Sequence, residues 1–349
     1  MRFPTTSPPS PTTMWNISSI LLLSSRKGTM LFPSCVFTAG QVSFLRKISL
    51  PPLTQPPGSI LEYLPLIRLA RQHYTQAALP YHLMIPSLPG YGFSSDWAGG
   101  SAGGSAGDFT LHDVSALLHN LLTTNLPFRS TGYIASGGDT GSVISRILAV
   151  KYLECKALLI NFCNMPITPE REVSVPLTEK EREGVERGKE FLATGSAYAA
   201  LAGTRPATLG LTLAASPLSL LAFVAEKFLS WSDPATRTRL PEILSSVSFY
   251  WYTNTIARSF YHYRHLLPHD DPKLLIPADK VFGYQYFPKE INPMPQAWAA
   301  STAETVKLDW FREHERGGHF AAMEEPEECW RDLDEFMEVV KKKGGDFGA

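Results

Sequence analysis

The pentapeptide Gly137-Gly138-Asp139-Thr140-Gly141 stands between a short apolar run, Gly132–Ser136, and an apolar helical segment at residues 143–153. Glycine two positions before and two positions after a central residue permits a strand-to-helix turn too tight for side chains. Such a turn lifts the central residue above the edge of a sheet, so the segment points to a fold in which helices follow strands. The central residue here is Asp, not Ser. A carboxylate attacks saturated carbon and forms an alkyl ester, whereas a serine attacks carbonyls. A phosphate-binding loop and a plain turn use the same residues, and the pentapeptide alone leaves both open.

The rest of the chain repeats the alternation. Residues 60–75 and 110–124 carry apolar groups at helical spacing, residues 81–88 and 156–163 read as short buried strands, and residues 96–108 form a Gly/Ser-rich loop. Strand signals return at 279–286 and 305–310, and 326–343 closes as an amphipathic helix with Pro at its start and Lys at its end. This is the pattern of an α/β protein, a mostly parallel sheet covered by helices on both faces. Between residues 164 and 266 the strand signals largely stop, and a charged helix at 178–192 is followed by apolar and aromatic helical segments. We read 57–163 and 267–349 as the core and 164–266 as an inserted helical cap that roofs the site.

Charge is spread unevenly over the 349 residues. None of the 33 Asp and Glu residues precedes Glu62, while five basic residues (Arg2, Arg26, Lys27, Arg46, Lys47) fall in that stretch. The net charge of −1 thus combines a basic head, residues 1–56, with a mildly acidic body, which gives no general nucleic-acid or membrane surface. The head has the composition of an organelle transit peptide, but nine prolines by residue 57 oppose the amphipathic helix that such a peptide needs. Its apolar runs, Ile20–Leu23 and Met30–Phe37, fall far short of the roughly 20 residues that cross a bilayer. A soluble, cytoplasmic chain with a poorly ordered head and no stable membrane anchor is expected. Cys35, Cys155, Cys163 and Cys329 are scattered without metal-ligand spacing, and no metal or cofactor is expected.

A second signal is Gly317-Gly318-His319-Phe320 before the last helix, with Glu290 29 residues upstream after a strand. A His held by an acid can activate water against an ester, and the order nucleophile, acid, His is that of α/β-hydrolases. Together with 81–95 (YHLMIPSLPGYGFSS), 132–146 (GYIASGGDTGSVISR), 161–166 (NFCNMP), 198–210 (YAALAGTRPATLG) and 250–264 (YWYTNTIARSFYHYR), these residues make the chain resemble epoxide hydrolases of the α/β-hydrolase class, in the fungal soluble and microsomal-like branch. The resemblance implies an α/β-hydrolase fold with Asp139 as nucleophile, His319 as general base and Glu290 as its orienting acid. It also implies Tyr198 and Tyr263 as cap tyrosines that protonate the opening ring, and the Thr140 N–H as an oxyanion donor. Tyr261 and Tyr252 compete with Tyr263 on residue type alone. The implied substrate is a small apolar epoxide and the co-substrate is water, in detoxification or secondary metabolism; a homodimer is one open assembly.

The resemblance departs at the head. Where the family has His-Gly-Trp-Pro-Gly-Ser, this chain has Thr54-Gln55-Pro56-Pro57-Gly58-Ser59, and Pro56 has no N–H to offer at the second oxyanion position. Losing one such donor typically costs on the order of 10²–10³ in rate, so the expectation is a chain that is alkylated but turns over slowly. The family's first strands have no counterpart in residues 1–55, and Ser49–Gln55 reads like translation through the end of an intron, which favours a truncated or misassembled gene model. A haloalkane dehalogenase and an inactive α/β-hydrolase that binds apolar ligands are the rivals; the two cap tyrosines argue against the first.

Overall fold

Side chains that alternate along single strands, with both sets buried, set the architecture. The computed structural model describes residues 20–23 and 48–50 (backbone only), 58–75, 78–79, 82–94, 110–126, 128–163, 165–236, 238–265 and 274–343. Its strands are β1 (Ile20–Leu23), β2 (Ile48–Leu50), β3 (His82–Pro86), β4 (Tyr133–Gly137), β5 (Cys155–Ile160), β6 (Val281–Tyr286) and β7 (Trp310–Glu313). They form one sheet in the order β1-β3-β2-β4-β5-β6-β7, in which only the β1–β3 pair is antiparallel. Ile134, Ala157, Leu159 and Val281 pack on one face, while Tyr133, Ala135, Leu158, Ile160 and Phe282 pack on the other. A parallel sheet buried on both faces is what βαβ connections produce, and it accounts for strands that read as continuous apolar runs.

Helices cover the two faces. Ser59 and Glu62 form a capping box that starts a 3-10 turn, Ile60–Tyr63, and leads into α1 (Leu64–His73). The next two helices are α2 (Leu111–Asn120), which runs on into a π-helical turn, Leu121–Asn125, and α3 (Thr140–Lys151). The stretch read as a cap, 164–266, carries α4 (Pro169–Glu172), α5 (Glu179–Glu190), α6 (Ala197–Thr204), α7 (Pro206–Ala214), α8 (Pro217–Trp231), α9 (Leu240–Thr253) and a 3-10 segment, Arg258–His265. The chain ends with α10 (Gln296–Ala300), α11 (Ala321–Glu324) and α12 (Pro326–Lys342). Helix α12 lays Trp330, Leu333, Phe336 and Val340 at i, i+3, i+6 and i+10 against the same sheet face as α1, each buried side chain contributing about 1.5–3 kcal/mol.

The described residues of the head lie in the sheet: Ile20–Leu23 pairs with β3, and Ile48–Leu50 stands between β3 and β4. Strand pairing uses backbone groups, so the acid-poor composition of the head does not oppose it. The strand expected at 305–310 begins only at Trp310. Val306 has φ 47°, which an extended strand does not tolerate, and Asp309 instead bonds to Phe282 through both its N–H and its carboxylate.

Among the described residues no single helix is long and apolar enough to cross a membrane. Helices α7 and α8 together reach that length and composition, but they are bent by 114°. Among the described residues Cys155, Cys163 and Cys329 form no disulfide.

Candidate active site

Asp139 sits between the end of β4 and the first turn of α3, with φ 47° and ψ −127°. A non-glycine residue in this region is strained, and the strain is the mark of a turn that presents one side chain above the sheet edge. A Cβ on Gly137 would lie 2.1 Å from the Gly141 carbonyl oxygen, so glycine at 137 is required by direct backbone contact across the elbow. Thr140 follows as the first residue of α3 and is buried, which places its N–H among the unpaired donors at the positive end of that helix.

His319 and Glu290 meet Asp139 from the far side of the chain. His319 Nδ1 lies 2.6 Å from Glu290 Oε1, and His319 Nε2 lies 3.8 Å from Asp139 Oδ2. The first contact is a charge-assisted hydrogen bond; the second is too long for one and acts as an ion pair. Glu290 Oε1 also accepts the Ile291 N–H at 2.6 Å, and Lys289 N donates to the Gly317 carbonyl at 3.1 Å, so the acid loop and the His loop are tied directly. Burial by itself lowers the basicity of His319, but the Glu290 charge and hydrogen bond, followed by Asp139 and Glu62, outweigh it and raise its pKa to about 9. The imidazole is thus a cation at neutral pH, held between two carboxylates.

The cap contributes the aromatic side. The rings of Tyr198 and Tyr263 approach edge-on at 6.1 Å, and Tyr198 packs at 5.5 Å on Trp231, which in turn lies 5.1 Å from the His319 ring. Burial, with the Asp139 charge adding to it, raises the pKa of both phenols far above their ordinary value. Among the three competing tyrosines, Tyr263 is 2% exposed, Tyr261 is half-buried and Tyr252 is 85% exposed, so only Tyr263 faces inward. All five side chains expected for the reaction, together with the Thr140 backbone, therefore converge at one end of the sheet. Thr54–Pro57, including Pro56, lies outside the described residues. Gly58 and Ser59 beyond it are anchored: the Tyr250 hydroxyl donates to the Gly58 carbonyl, and Ser59 N donates to Glu62 Oε1 at 2.6 Å.

Several participants were not legible in the sequence. Trp231 packs on Tyr198 and accepts the His319 N–H at 3.0 Å, Phe162 meets the His319 ring edge-on at 6.1 Å, and Arg187 donates from Nε to the Glu290 carbonyl at 2.7 Å. These contacts join segments tens of residues apart, and no local spacing encodes them. Among the described residues no group of three or more His, Cys, Asp or Glu side chains is arranged to hold a metal ion.

Known proteins place this geometry in a family. No family model matches the chain. A provisionally named epoxide hydrolase of Dothistroma septosporum is 38% identical over 284 residues, 81% of this chain and 64% of the relative, so this chain spans under two thirds of that relative's length. Epoxide hydrolase 1 of Oryctolagus cuniculus is 28% identical, with 82% of this chain and 67% of the relative covered. The structure of the Aspergillus niger epoxide hydrolase is similar with a TM-score of 0.75 and 40% identity, covering 85% of this chain and 72% of that one. The juvenile hormone epoxide hydrolase of Bombyx mori shares the fold with a TM-score of 0.70 at 22% identity, covering 87% of this chain and 75% of that one. An Asp elbow facing a His–Glu pair, on a fold and a sequence both shared with the Aspergillus enzyme, makes the chain a member of the epoxide hydrolase family of α/β-hydrolases.

Proposed function

We propose that the chain opens small apolar epoxides to vicinal diols through an alkyl ester on Asp139. The observation that carries this reading is the pairing of a carboxylate on the elbow with two inward phenols across the site. One oxygen of Asp139 attacks the less hindered ring carbon from the face opposite the C–O bond, which breaks, and its electron pair stays on the ring oxygen. Tyr198 and Tyr263 hydrogen-bond that oxygen and one of them transfers its proton to it. His319, held by Glu290, then removes a proton from water and the hydroxide attacks the ester carbonyl carbon; the bond between that carbon and the alkyl oxygen breaks, the new carboxyl passes its proton to the departing alkoxide to give the diol and restore the carboxylate, and the proton held by His319 returns through water to the phenolate. The Thr140 N–H supports the negative carbonyl oxygen formed during that attack.

His319 is a cation while Asp139 is charged and becomes a base once that charge is esterified. This ordering favours attack by Asp139 first and water activation second. Pro56 corresponds in sequence to the residue that supplies the family's second oxyanion donor and has no N–H, so ester hydrolysis is the slow step in this reading. Incubation with styrene oxide followed by intact-protein mass spectrometry tests the reading: one adduct is expected on Asp139, none in Asp139→Asn, and about 10²-fold slower labelling in the Tyr198→Phe/Tyr263→Phe double variant. Labelling that persists in Asp139→Asn would refute it.

A further inference from the structure

Glu324, at the end of α11, is a carboxylate that none of the reaction steps above uses. It gathers four donors from two parts of the molecule. Its Oε2 accepts the Gly318 N–H at 3.1 Å from the His loop, and from the segment after α8 it accepts the Asp233 N–H at 2.7 Å and the Thr236 hydroxyl at 2.9 Å. Its Oε1 accepts the Phe320 N–H at 3.0 Å. The residues on either side of His319 are therefore bound to the same side chain that binds the exit of the cap helix.

The junction is tight around this carboxylate. His319 N donates to the Trp231 carbonyl at 3.0 Å, Gly317 N donates to Asp233 Oδ2 at 2.9 Å, and a Cβ on Gly318 would lie 2.5 Å from the Trp231 carbonyl oxygen. Four donors converging on one group require a side chain that only accepts, and a carboxylate with two oxygens and about four lone-pair directions meets that requirement. Glutamine of the same size cannot, because its amide nitrogen presents two more donors to the same cluster. Trp231 also touches both Tyr198 and the His319 ring, so the junction lies between the phenol side of the site and its base.

We infer that Glu324 is a positioning residue for hydrolysis of the ester, its carboxylate fixing the His319 loop to the end of α8 so that the imidazole stays over the esterified Asp139. The inference rests on the ester mechanism proposed above. It predicts a split between the two chemical steps, because ring opening needs Asp139 and the phenols in place but not a base, whereas hydrolysis needs the base within reach of the ester. Burial raises the Glu324 pKa to about 7, and the comparison belongs at pH 8.5, where it is a carboxylate.

The test uses the full chain and styrene oxide. Each protein is alkylated, freed of excess epoxide by rapid desalting, and followed by intact mass as the ester disappears. In Glu324→Gln the ester is expected to form at the wild-type rate and to decay about tenfold more slowly. Thr236→Val, which removes one neutral donor and leaves the carboxylate in place, should slow decay by no more than about threefold, and it serves as the second variant if Glu324→Gln does not fold. Equal decay in wild type and Glu324→Gln, or a loss of ester formation matching the loss of hydrolysis, would overturn the positioning role while leaving the ester mechanism standing. Decay in Thr236→Val as slow as the full tenfold would assign the effect to general loosening and overturn it as well. If wild type itself gains no ester, the mechanism falls, and this inference with it.

Discussion

Replacing Asp139 by Asn leaves the elbow's size unchanged and removes one negative charge 3.8 Å from His319 Nε2. At an effective dielectric of about 20 that interaction is worth about 4 kcal/mol, or about 3 pKa units; a fully water-like surrounding would reduce it to under about 1 unit. The Asp139 side chain is 18% exposed and that of His319 3%, which places the effect between those limits. His319, at about 9 in the wild type, should therefore titrate one to three units lower in Asp139→Asn, near neutrality. In the proposed reaction esterification removes the same charge, so the variant imitates the state in which His319 would act as a base. The assay is an NMR titration of isotope-labelled histidine, with the His319 resonance identified by its loss in His319→Gln. A His319 pKa unchanged to within about half a unit would refute the idea that alkylation itself prepares the base, and Glu290 alone would then govern the imidazole.

Two further outcomes concern stability. The folded pKa of His319 lies above its ordinary value of 6.5, so its contribution is fully present below pH 6.5 and is lost as pH rises through about 9; urea unfolding should show a loss on the order of 3 kcal/mol over that window, absent in His319→Gln. Asp332 is fully buried, accepts Gln285 Nε2 at 2.7 Å, and lies 2.7 Å from His314 Nε2 and 3.4 Å from Arg312 Nη1. Asp332→Ala would leave Gln285 and His314 without this acceptor between β6, β7 and α12, while Arg312 keeps Glu335, and should cost about 3–5 kcal/mol, read from the same unfolding curves; a cost under about 1 kcal/mol would show the network to be dispensable.

The sequence exposes those parts of the site whose geometry is local. A Gly-Gly-Asp-Thr-Gly turn can be recognised because both its glycines and its carboxylate lie within five residues, and the backbone contact between Gly137 and Gly141 explains why. Tyr263 is different. It lies in a 3-10 segment, where residues three apart share a face, so it points inward with Phe260 while Tyr261 turns out. A helical period of 3.6 read from the sequence cannot make that distinction. The false strand at 305–310 has a similar origin: alternating Val306, Leu308 and Trp310 imitate a pleat, but Val306 is exposed, takes a positive φ and donates its N–H to the Ala303 carbonyl at 2.9 Å in a turn. Glu324 meets Asp233, 91 residues before it, and Trp231 meets His319, 88 residues after it, only when the chain folds back, so neither can be assigned a role before the tertiary structure exists.

The phenols and the imidazole respond to pH in different ranges, and this separates the two steps of the proposed reaction. Burial and the Asp139 charge keep Tyr198 and Tyr263 protonated across the neutral range, so their ability to donate to the ring oxygen does not change between pH 6 and 9. Ester hydrolysis needs a neutral His319, whose pKa in the esterified protein falls toward neutrality as the Asp139 charge is lost. Lowering the pH from 9 to 6 should then leave alkylation by styrene oxide nearly constant and slow hydrolysis about tenfold or more, so the fraction of protein carrying the ester at steady state rises. Quenched samples analysed by intact mass measure this directly. Alkylation that falls in parallel with hydrolysis would place a group titrating near neutrality in the ring-opening step, and the raised phenols would no longer account for it.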